Sequence, residues 1–396
     1  YLLAWPDERI TVRLDRIHDV GSRPVGEIRI STTAPGFEGH LHHGELGLTS
    51  TSGKANLAKS LTSRFSEVDW YAILEQTCSA ILDMVRQGEP VLRAGQLQLE
   101  PLTYLLEPLI QNNQANLIYG AGGIGKTYFA LLVALMVQYG KGHIGLKASQ
   151  ANVLYLDYET SPEVINGRVQ ELAQGLDIAN PSLPYRFSTQ PLAYDIAELQ
   201  RIVLEENIGL VIVDSVGMAC GGEPEKADSI IRYFTALRSL RITSFSIDHV
   251  TKAGDGSMPF GSVYKVNLAR NVWEVRASKP DDEEELNIGL YHRKVNQGRI
   301  RPAIGVQLSF QEGIVNIDTV EVKSDAELAK GLVLRVRIEQ ALDAGSRSVK
   351  DLAEYLEEKD VSVRVVLNRF SKDGKKTKKM FQKLTDGKWG RALRTS

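Results

Sequence analysis

Cysteine is almost absent from this chain. Among 396 residues only Cys78 and Cys220 occur, far apart in sequence, so we expect neither a disulfide framework nor a cysteine metal site. Long apolar runs are also missing, because the longest one follows residue 127 and is far shorter than the ~20 residues that span a bilayer. These absences predict a cytoplasmic globular protein without a membrane segment or a signal peptide.

The chain also lacks a marked excess of either charge. It has 47 Lys and Arg against 49 Asp and Glu, a net charge of −2, so any affinity for nucleic acid must come from a local patch. The length suggests two or three domains. The first residue is Tyr1 and not methionine, so we expect a fragment or a chain whose start has been removed.

The most informative motif lies at residues 117–127, which read Leu-Ile-Tyr-Gly-Ala-Gly-Gly-Ile-Gly-Lys-Thr before an apolar, helix-forming segment. The glycines allow positive φ angles, so that backbone N–H groups can surround an anion at the positive end of the helix. Lys126 would reach the β- and γ-phosphates and Thr127 a Mg²⁺ ion. A glycine-rich loop without phosphate is the alternative. The predicted ligands are ATP and Mg²⁺, and the predicted loop residues are Gly120, Ala121, Gly122, Gly123, Ile124, Gly125, Lys126 and Thr127.

Composition and periodicity divide the chain into four segments. Residues 1–66 alternate apolar and polar positions with Gly and Pro between them, which indicates a β-rich N-terminal module. Residues 67–100 contain apolar side chains at helical spacing and predict a helical linker. Residues 101–320 alternate apolar strands with helices, as in a mostly parallel α/β sheet. Composition changes after this block, and residues 325–396 form the last predicted domain.

The last domain follows the plan of a winged helix-turn-helix. Helical periodicity covers residues 328–343 and 348–357, Ser348 and Ser362 are plausible N-caps, and Asp386-Gly387 predicts a hairpin. Between residues 361 and 396 there are eleven Lys and Arg against two Asp, a positive patch that the net charge conceals. A solvated basic tail, or a module that binds only protein, is the alternative. The predicted DNA-binding residues here are Arg364, Arg369, Lys375, Lys376, Lys378, Lys379 and Lys388.

Two strand ends predict where ATP would be hydrolysed. Residues 210–214 form an apolar strand ending in Asp214, which would face the Mg²⁺ shell. Ser215 follows, whereas proteins of the AAA+ class usually have a glutamate there, so the base must lie elsewhere. Glu159, at the end of the strand that begins at Val153, could polarise the attacking water. Alternation places Asp157 on the same face and makes it the second candidate.

A fourth strand ends in Asp248-His249. A polar side chain at this position of the sheet can respond to the γ-phosphate, so His249 is the predicted sensor. A histidine with a purely structural hydrogen bond is the alternative.

The arrangement of residues 100–310 resembles the RecA-like P-loop ATPases, and more closely the plasmid and phage hexameric replicative helicase type (AAA_25-like). The resemblance rests on the glycine loop, on Leu156-Asp157-Tyr158-Glu159-Thr160 with Arg168 in the next helix, on Asp214, on Asp248-His249-Val250-Thr251-Lys252, on residues 261–270 and on residues 292–296. It implies an α/β, RecA-like P-loop NTPase fold with a mostly parallel central sheet, between a small β-rich N-terminal module and a C-terminal winged helix-turn-helix. Arg168 would then belong to the nucleotide site.

In such helicases the ATP site lies between subunits of a homo-oligomeric ring or filament. The resemblance therefore implies that Arg270 completes the site of a neighbouring copy, with Lys294 as a second basic finger. Surface ion pairs are the alternative for both residues.

The family also sends two loops into a central channel to grip single-stranded DNA, and their counterparts are residues 218–228 and 252–260. The first loop contains three acids and only Lys226, which suits a polyanion poorly. The second offers Lys252. We therefore expect an ATP-hydrolysing motor on DNA, with the C-terminal domain as the better-supported DNA contact. The rival is an ATP-driven regulatory or loading protein that does not unwind DNA.

Overall fold

The computed structural model describes residues 1–36, 39–88, 90–96, 101–250, 263–279, 284–374 and 378–392. These residues fall into two compact units, Tyr1–Glu100 and Pro101–Ser396. The predicted DNA contacts Lys252, Lys375 and Lys376 lie outside the described residues. Within the described ranges, no helix combines the length and the apolar character needed to cross a bilayer.

The first unit is an antiparallel sheet, in the order β1-β2-β3-β4, with two helices. Its elements are β1 (Leu2–Trp5), β2 (Ile10–Val20), β3 (Arg23–Thr32), β4 (Gly39–Gly47), α1 (Thr51–Thr62) and α2 (Trp70–Gln87). Alternation in β2 buries Ile10, Val12 and Leu14 on one face, as expected for a sheet with one covered side.

One helix of the first unit differs from the sequence prediction, and the other is the helix predicted within residues 67–100. Residues 51–62, predicted within the β-rich module, form α1, whose N-cap Ser50 accepts a hydrogen bond from the Gly53 N–H at 3.0 Å. The predicted linker contains α2, but its side chains Trp70, Leu74 and Cys78 lie in the same hydrophobic core as the strands. The apolar face of α2 is buried within this unit because a half-apolar helix gains stability by covering the sheet.

The second unit is built on a nine-stranded sheet. In spatial order its strands are β10 (Tyr185–Phe187), β9 (Asn152–Asp157), β11 (Ile208–Asp214), β12 (Thr243–His249), β7 (Ala115–Gly120), β13 (Asn271–Ser278), β14 (Glu285–Val295), β15 (Ile304–Gln311) and β16 (Ile314–Thr319). The first six strands are parallel and the last three antiparallel. The predicted α/β class with a mostly parallel central sheet is therefore confirmed.

Shorter elements surround this sheet. They are β5 (Tyr104–Glu107), β6 (Ile110–Gln111) and β8 (Lys147–Ala148), which pair with each other, and the helices α3 (Lys126–Tyr139), α4 (Pro162–Gly175), α5 (Ile196–Glu205), α6 (Val216–Ala219), α7 (Ala227–Ser239), α8 (Val263–Leu268) and α9 (Ala326–Ala329). The parallel strands have apolar residues on both faces because helices cover both faces. Strand β12 separates the glycine-loop strand β7 from the Asp214 strand β11. The carboxyl ends of all three meet at one edge, where ligands of such sheets bind.

The chain ends in three helices and a hairpin: α10 (Leu334–Asp343), α11 (Val349–Tyr355), α12 (Asp360–Arg369), β17 (Phe381–Lys383) and β18 (Trp389–Arg391). Ser348 and Asp351 form a capping box at α11. The predicted N-cap Ser362 is wrong, because α12 begins two residues earlier and takes Lys359 as its cap residue. Gly387, with φ of 82°, makes the turn between the two strands.

The helix predicted over residues 328–343 is broken into α9 and α10. The break passes close to Tyr291, whose hydroxyl donates a hydrogen bond to the Leu328 carbonyl. A Cβ on Gly331 would lie 2.3 Å from the Tyr291 ring. Backbone and ring approach so closely that the residue in the break has to be glycine, and the helix stops there because the chain has to pass over the ring.

Candidate functional site

The glycine loop curls between β7 and α3 as predicted for an anion site. Gly123 and Gly125 have φ angles of 73° and 79°, which only glycine adopts without strain. A Cβ on Gly125 would lie 2.5 Å from Leu286 Cδ2, and one on Gly120 would lie 2.5 Å from the Val275 carbonyl oxygen. The loop is therefore fixed by both conformation and lack of space.

Lys126 begins α3 and is almost completely buried. Its ammonium nitrogen lies 3.0 Å from the Gly120 carbonyl oxygen, 2.5 Å from that of Ala121 and 3.3 Å from His249 Nδ1. Burial lowers the Lys126 pKa to about 8. An ammonium has three N–H donors, and here each has an acceptor. A phosphate in the loop would have to replace at least one of them.

The hydroxyl of Thr127 and the carboxylate of Asp214 meet beside the loop. Thr127 Oγ1 donates to Asp214 Oδ2 at 2.8 Å, and the Tyr155 hydroxyl donates to the same oxygen at 2.8 Å. Burial raises the pKa of Asp214. A hydroxyl and a carboxylate side by side are the oxygen donors that Mg²⁺ prefers, so these residues fit the predicted ion. Sequence reasoning missed Tyr155, because a tyrosine in an apolar strand looks like a core residue.

Glu159 is held between two side chains. Its Oε1 accepts hydrogen bonds from Ser215 Oγ and, at 3.3 Å, from His249 Nε2. Since the Lys126 ammonium can only donate, His249 Nδ1 must accept and the imidazole proton sits on Nε2. The bond from His249, aided by that from Ser215, lowers the pKa of Glu159 against the opposing effect of burial. The carboxylate is thus ionised and oriented.

Asp157, the second candidate for the base, has a different position. Its Oδ1 accepts the N–H groups of Glu159 and Thr160, both at 3.0 Å, and its Oδ2 accepts the Tyr185 hydroxyl at 2.9 Å. Asp157 is fully buried, and β9 ends there, so strand alternation does not extend to Glu159. Asp157 shapes the turn that presents Glu159 and does not itself line the cavity described next.

A cavity of 370 Å³ joins these groups. Eight of the site residues predicted from the sequence line it: Gly123, Gly125, Lys126, Thr127, Glu159, Arg168, Asp214 and His249. On its far side the Arg168 guanidinium lies 4.8 Å above the Tyr128 ring, which packs edge-on against Phe310 at 5.1 Å. Lys279, Glu285, Leu286 and Phe310 also line the cavity. They were missed because they come from β14, from β15 and from the residue after β13, and none of these segments has a recognisable motif. Gly120, Ala121 and Ile124 line an adjacent pocket instead.

Arg270 lies at the opposite edge of the sheet from the glycine loop. Its N–H donates to the Ala115 carbonyl at 2.8 Å, where β7 begins. The side chain is exposed, and among the described residues no carboxylate forms an ion pair with it. Arg270 therefore cannot serve the nucleotide loop of its own chain, and its guanidinium is available to another molecule.

Lys294, the second predicted finger, forms hydrogen bonds within its own chain. Its ammonium donates to the carbonyls of Val266, Asn267 and Ala269 at 2.7, 3.0 and 2.8 Å. Burial and the neighbouring Arg270 lower the pKa of Lys294. These bonds satisfy carbonyls at the end of α8, so the described position of Lys294 is that of a helix cap.

A buried ion pair connects the end of β12 to α8. Lys265 is completely buried, and its Nζ lies 3.0 and 2.9 Å from the two carboxylate oxygens of Asp248. Burial raises the pKa of Asp248. Because His249 follows Asp248, this pair fixes the strand end that carries the predicted sensor. No local pattern predicts this pair, since Lys265 lies in a segment that otherwise looks like an exposed helix.

The remaining predicted residues belong to surfaces. Lys226, the one lysine of the first predicted channel loop, is exposed and pairs with Glu223 at 2.8 Å. The C-terminal cations Arg364, Arg369, Lys378, Lys379 and Lys388 are all exposed. Lys388 lies 3.8 Å from Asp386.

Comparison with known proteins gives a partial match. Residues 86–255 match the AAA_25 family, described as an AAA domain. No curated protein matches the chain. A KaiC-like protein from the hyperthermophilic archaeon Pyrococcus horikoshii OT3 is structurally similar, with 14% identity over 55% of this chain and 99% of its own length and a TM-score of 0.41, which is too low to carry an argument.

The matched segment includes the glycine loop, Glu159, Asp214 and His249, and it ends before Arg270. The strand order places β12 between the strands of the loop and of Asp214, and Glu159 follows the end of β9, the strand beyond them. Family match, strand order and assembled site agree with one another. The chain contains a P-loop domain that is similar to the AAA_25 family over residues 86–255.

Proposed function

We propose that this chain hydrolyses ATP to ADP and phosphate as a RecA-like motor on DNA, of the replicative or recombination helicase type. Copies of the chain share each ATP site. The observation that carries the proposal is the hydrogen-bonded series Lys126, His249, Glu159 and Ser215 beside the Thr127–Asp214 pair.

The chemistry follows from the partners of each side chain. Lys126 and the loop N–H groups bind the phosphates, and Thr127 and Asp214 hold Mg²⁺, which supplies charge neutralisation when bound. Glu159 is an ionised acceptor that aligns and polarises water. His249 connects Lys126 to Glu159, so a shift of Lys126 toward a γ-phosphate changes the hydrogen bonding of the base.

Arg270 supports a shared site. A cation that is exposed, lacks a carboxylate partner among the described residues and lies away from its own loop suits a neighbouring copy. Such a guanidinium neutralises charge on the transferred phosphoryl group. We propose a ring or filament of identical subunits in the cytoplasm.

The test of the shared site mixes two inactive variants. Lys126→Ala destroys phosphate binding but keeps Arg270, whereas Arg270→Ala keeps an intact loop. Equimolar mixing should restore ATP turnover, because some interfaces then contain one intact loop and one intact arginine. A mixture as inactive as its components, at concentrations where both assemble, would contradict the shared site.

We further propose that residues 325–396 are a winged helix-turn-helix that binds DNA. The support is the order of three helices and a hairpin, together with exposed cations on α12 and on the segment after it. Long-range attraction to phosphates needs such a patch on a chain of net charge −2.

One contact supports a second function: Lys226, the one lysine of the first predicted channel loop, pairs with Glu223. That contact favours an ATP-driven loading or regulatory factor that binds DNA without unwinding it. ATP turnover with and without single-stranded DNA, beside strand separation of a forked duplex, distinguishes the two. Stimulated turnover with separation supports the motor. DNA binding without separation supports the loading factor.

A further inference from the structure

Three arginines line one pocket at the edge of the central sheet where β7 and β12 begin. The pocket has a volume of 290 Å³, and its lining includes Arg238, Arg241 and Arg270. All three residues are exposed, and the residues described around the pocket include neither an aspartate nor a glutamate. Positive charges gathered this closely repel one another. The pocket therefore has the character of a site for a negatively charged group.

The local structure holds these arginines side by side. Arg238 lies in the last turn of α7, where its Nε donates to the Phe234 carbonyl at 3.3 Å. Arg241 follows the end of the helix with a φ of 55°, and its N–H donates to the Arg238 carbonyl at 3.1 Å. Neither Arg238 nor Arg270 forms an ion pair with another described residue. The guanidinium groups of these two arginines can therefore donate to a carboxylate or a phosphate from another molecule.

Two glutamates lie at the opposite edge of the same sheet. β13 runs parallel to β7 and ends at the edge of the glycine loop, and β14 returns from there, beginning at Glu285. Glu285 Oε2 accepts a hydrogen bond from Gln307 Nε2 at 3.0 Å, and within the described ranges Glu285 forms no ion pair. Glu284 precedes it and is exposed. In sequence, both residues end an acidic run over 281–285, of which residues 281–283 lie outside the described ranges.

These two charged surfaces cannot meet within one chain. β13 separates them along the sheet, and its eight residues extend about 26 Å. Two copies that stack head to tail bring the arginine edge of one against the glutamate edge of the next. Contacts of this kind repeat from copy to copy and produce a ring or a filament.

The cavity beside the glycine loop gives this contact its register. Glu285 lines that cavity, and the proposed function places Arg270 of a neighbouring copy there. Arg238 and Arg241 line the same pocket as Arg270, so they would then face the segment around Glu285. A carboxylate beside a bound triphosphate is repelled by it, and an incoming guanidinium offsets that repulsion.

A protein partner suits this pocket better than nucleic acid does. Surfaces that follow single-stranded nucleic acid combine positive charge with aromatic side chains on which bases stack. The described lining of the pocket contains no aromatic residue, and Leu237, Ile242 and Leu268 supply its apolar part. Carboxylates on a short segment fit such a recess, since a planar guanidinium binds a carboxylate through two parallel hydrogen bonds.

We propose that the pocket formed by Arg238, Arg241 and Arg270 docks on Glu284 and Glu285 of a second copy of this chain. Ion pairs from Arg238 and Arg241 hold the two copies in register, and Arg270 is thereby directed into the ATP cavity of the second copy. This inference rests on the proposed shared ATP site and adds the surface by which the copies recognise each other.

The experiment reverses one charge on each surface of the full chain. Mass in solution, measured over a series of protein concentrations with ATP and Mg²⁺, gives the concentration at which half of the chains are assembled. Arg238→Glu and Glu284→Arg should each raise that concentration by at least about tenfold, because like charges then face each other. The double variant Arg238→Glu/Glu284→Arg should return to within about threefold of the wild type, since the pair is restored in reversed order.

Arg232→Glu is the matched control. It makes the same charge change at an exposed residue of the same helix that does not line the pocket, and its half-assembly concentration should stay within about twofold of the wild type. Arg238→Gln removes the charge without reversing it and should raise the half-assembly concentration by about fivefold. Thermal unfolding checks that each variant is folded.

The outcomes separate this inference from the proposed function. Assembly of either reversed variant at the wild-type concentration, or no recovery in the double variant, would overturn the docking surface. Weaker binding of single-stranded DNA by Arg238→Glu with unchanged assembly would also overturn it and assign the pocket to nucleic acid. Failure of the shared ATP site gives a different result, because the mixture of Lys126→Ala and Arg270→Ala would then stay inactive although the copies assemble. That result would overturn the role of Arg270, while the charge reversals still decide the docking.

Discussion

The lysines near the carboxyl ends of β7 and β12 differ in burial and in hydrogen bonding from lysines near the C-terminus. Lys126 and Lys265 are buried, and each has carbonyl, imidazole or carboxylate acceptors within its own chain. Lys378 and Lys379 are exposed, and within the described ranges neither forms an ion pair. Arg270 resembles the second group because it is exposed, although it directly precedes β13 of the nine-stranded sheet.

The difference indicates what each group can do. A buried cation with all its donors used has a fixed position, which chemistry requires, since preorganised charges cost no rearrangement during the reaction. An exposed, unpaired cation contributes to long-range attraction and is available to another molecule. The availability of a cation for a partner can therefore be judged from its present acceptors.

The largest effect should separate Arg270 from Lys294. Arg270→Ala should lower ATP turnover by about 1000-fold, as expected for a basic finger that acts on phosphoryl transfer. Lys294→Ala should lower it less than about tenfold, because its protons already belong to backbone carbonyls. Phosphate release at equal protein concentration measures both. Equal losses of ATP turnover in the two variants would contradict the different roles assigned to Arg270 and Lys294.

The next effect concerns the buried pair. Lys265→Met leaves the Asp248 carboxylate buried without its partner and should lower the free energy of unfolding by about 3–5 kcal/mol. The double variant Asp248→Leu/Lys265→Met is the control and should recover most of that loss, since no uncompensated charge remains. Denaturant unfolding of the ATPase domain measures this. If the free energy of unfolding of Lys265→Met were within about 1 kcal/mol of the wild-type value, the ion pair would not stabilise the fold as proposed.

A smaller effect is expected at Ser215. Its hydrogen bond helps to lower the pKa of Glu159, so Ser215→Ala should raise that pKa. The active form is the carboxylate, and the acid limb of the turnover–pH profile should therefore move to higher pH, with a loss of about tenfold at its optimum. Ser215→Thr keeps a hydroxyl and should return the acid limb to its wild-type pH. An unmoved limb in Ser215→Ala would assign the contact a structural role only.

The smallest effect is on salt dependence. Lys379→Ala should reduce the slope of log affinity for DNA against log salt by about 0.9, a three- to fourfold change in relative affinity between about 50 and 200 mM salt. Arg391→Ala is the matched control, because that guanidinium pairs with Glu339 and Asp343. If the two variants gave the same slope, pairing within the chain would not determine which cations meet DNA.

Local patterns explain what the sequence could predict. The glycine loop, the strand end at Asp214 and the N-cap at Ser348 depend on neighbours in sequence, and the structure has all three. The α/β class followed from alternating strands and helices. Glu159 and His249 were predicted from their strand ends, and the structure brings them within hydrogen-bond distance of each other. Their catalytic roles stay predictions.

Contacts between distant segments explain the rest. The bond from Ser215 to Glu159 joins residues 56 positions apart, and no periodicity encodes it. Lys294 caps α8 because sheet register places it there, not because of its neighbours. The helix predicted over 328–343 is broken at Gly331 by Tyr291 from a different strand. Tertiary packing thus overrides local propensity at these points.

The most direct test of the account is the Glu159→Gln variant of the full chain. ATP affinity from calorimetry should stay within about threefold of the wild type, because the loop, Lys126 and the Thr127–Asp214 pair are intact. Phosphate release should fall by at least about 100-fold, since the amide cannot accept a proton from water. Turnover equal to that of the wild type would contradict the assignment of Glu159 and, with it, the proposed hydrolytic site.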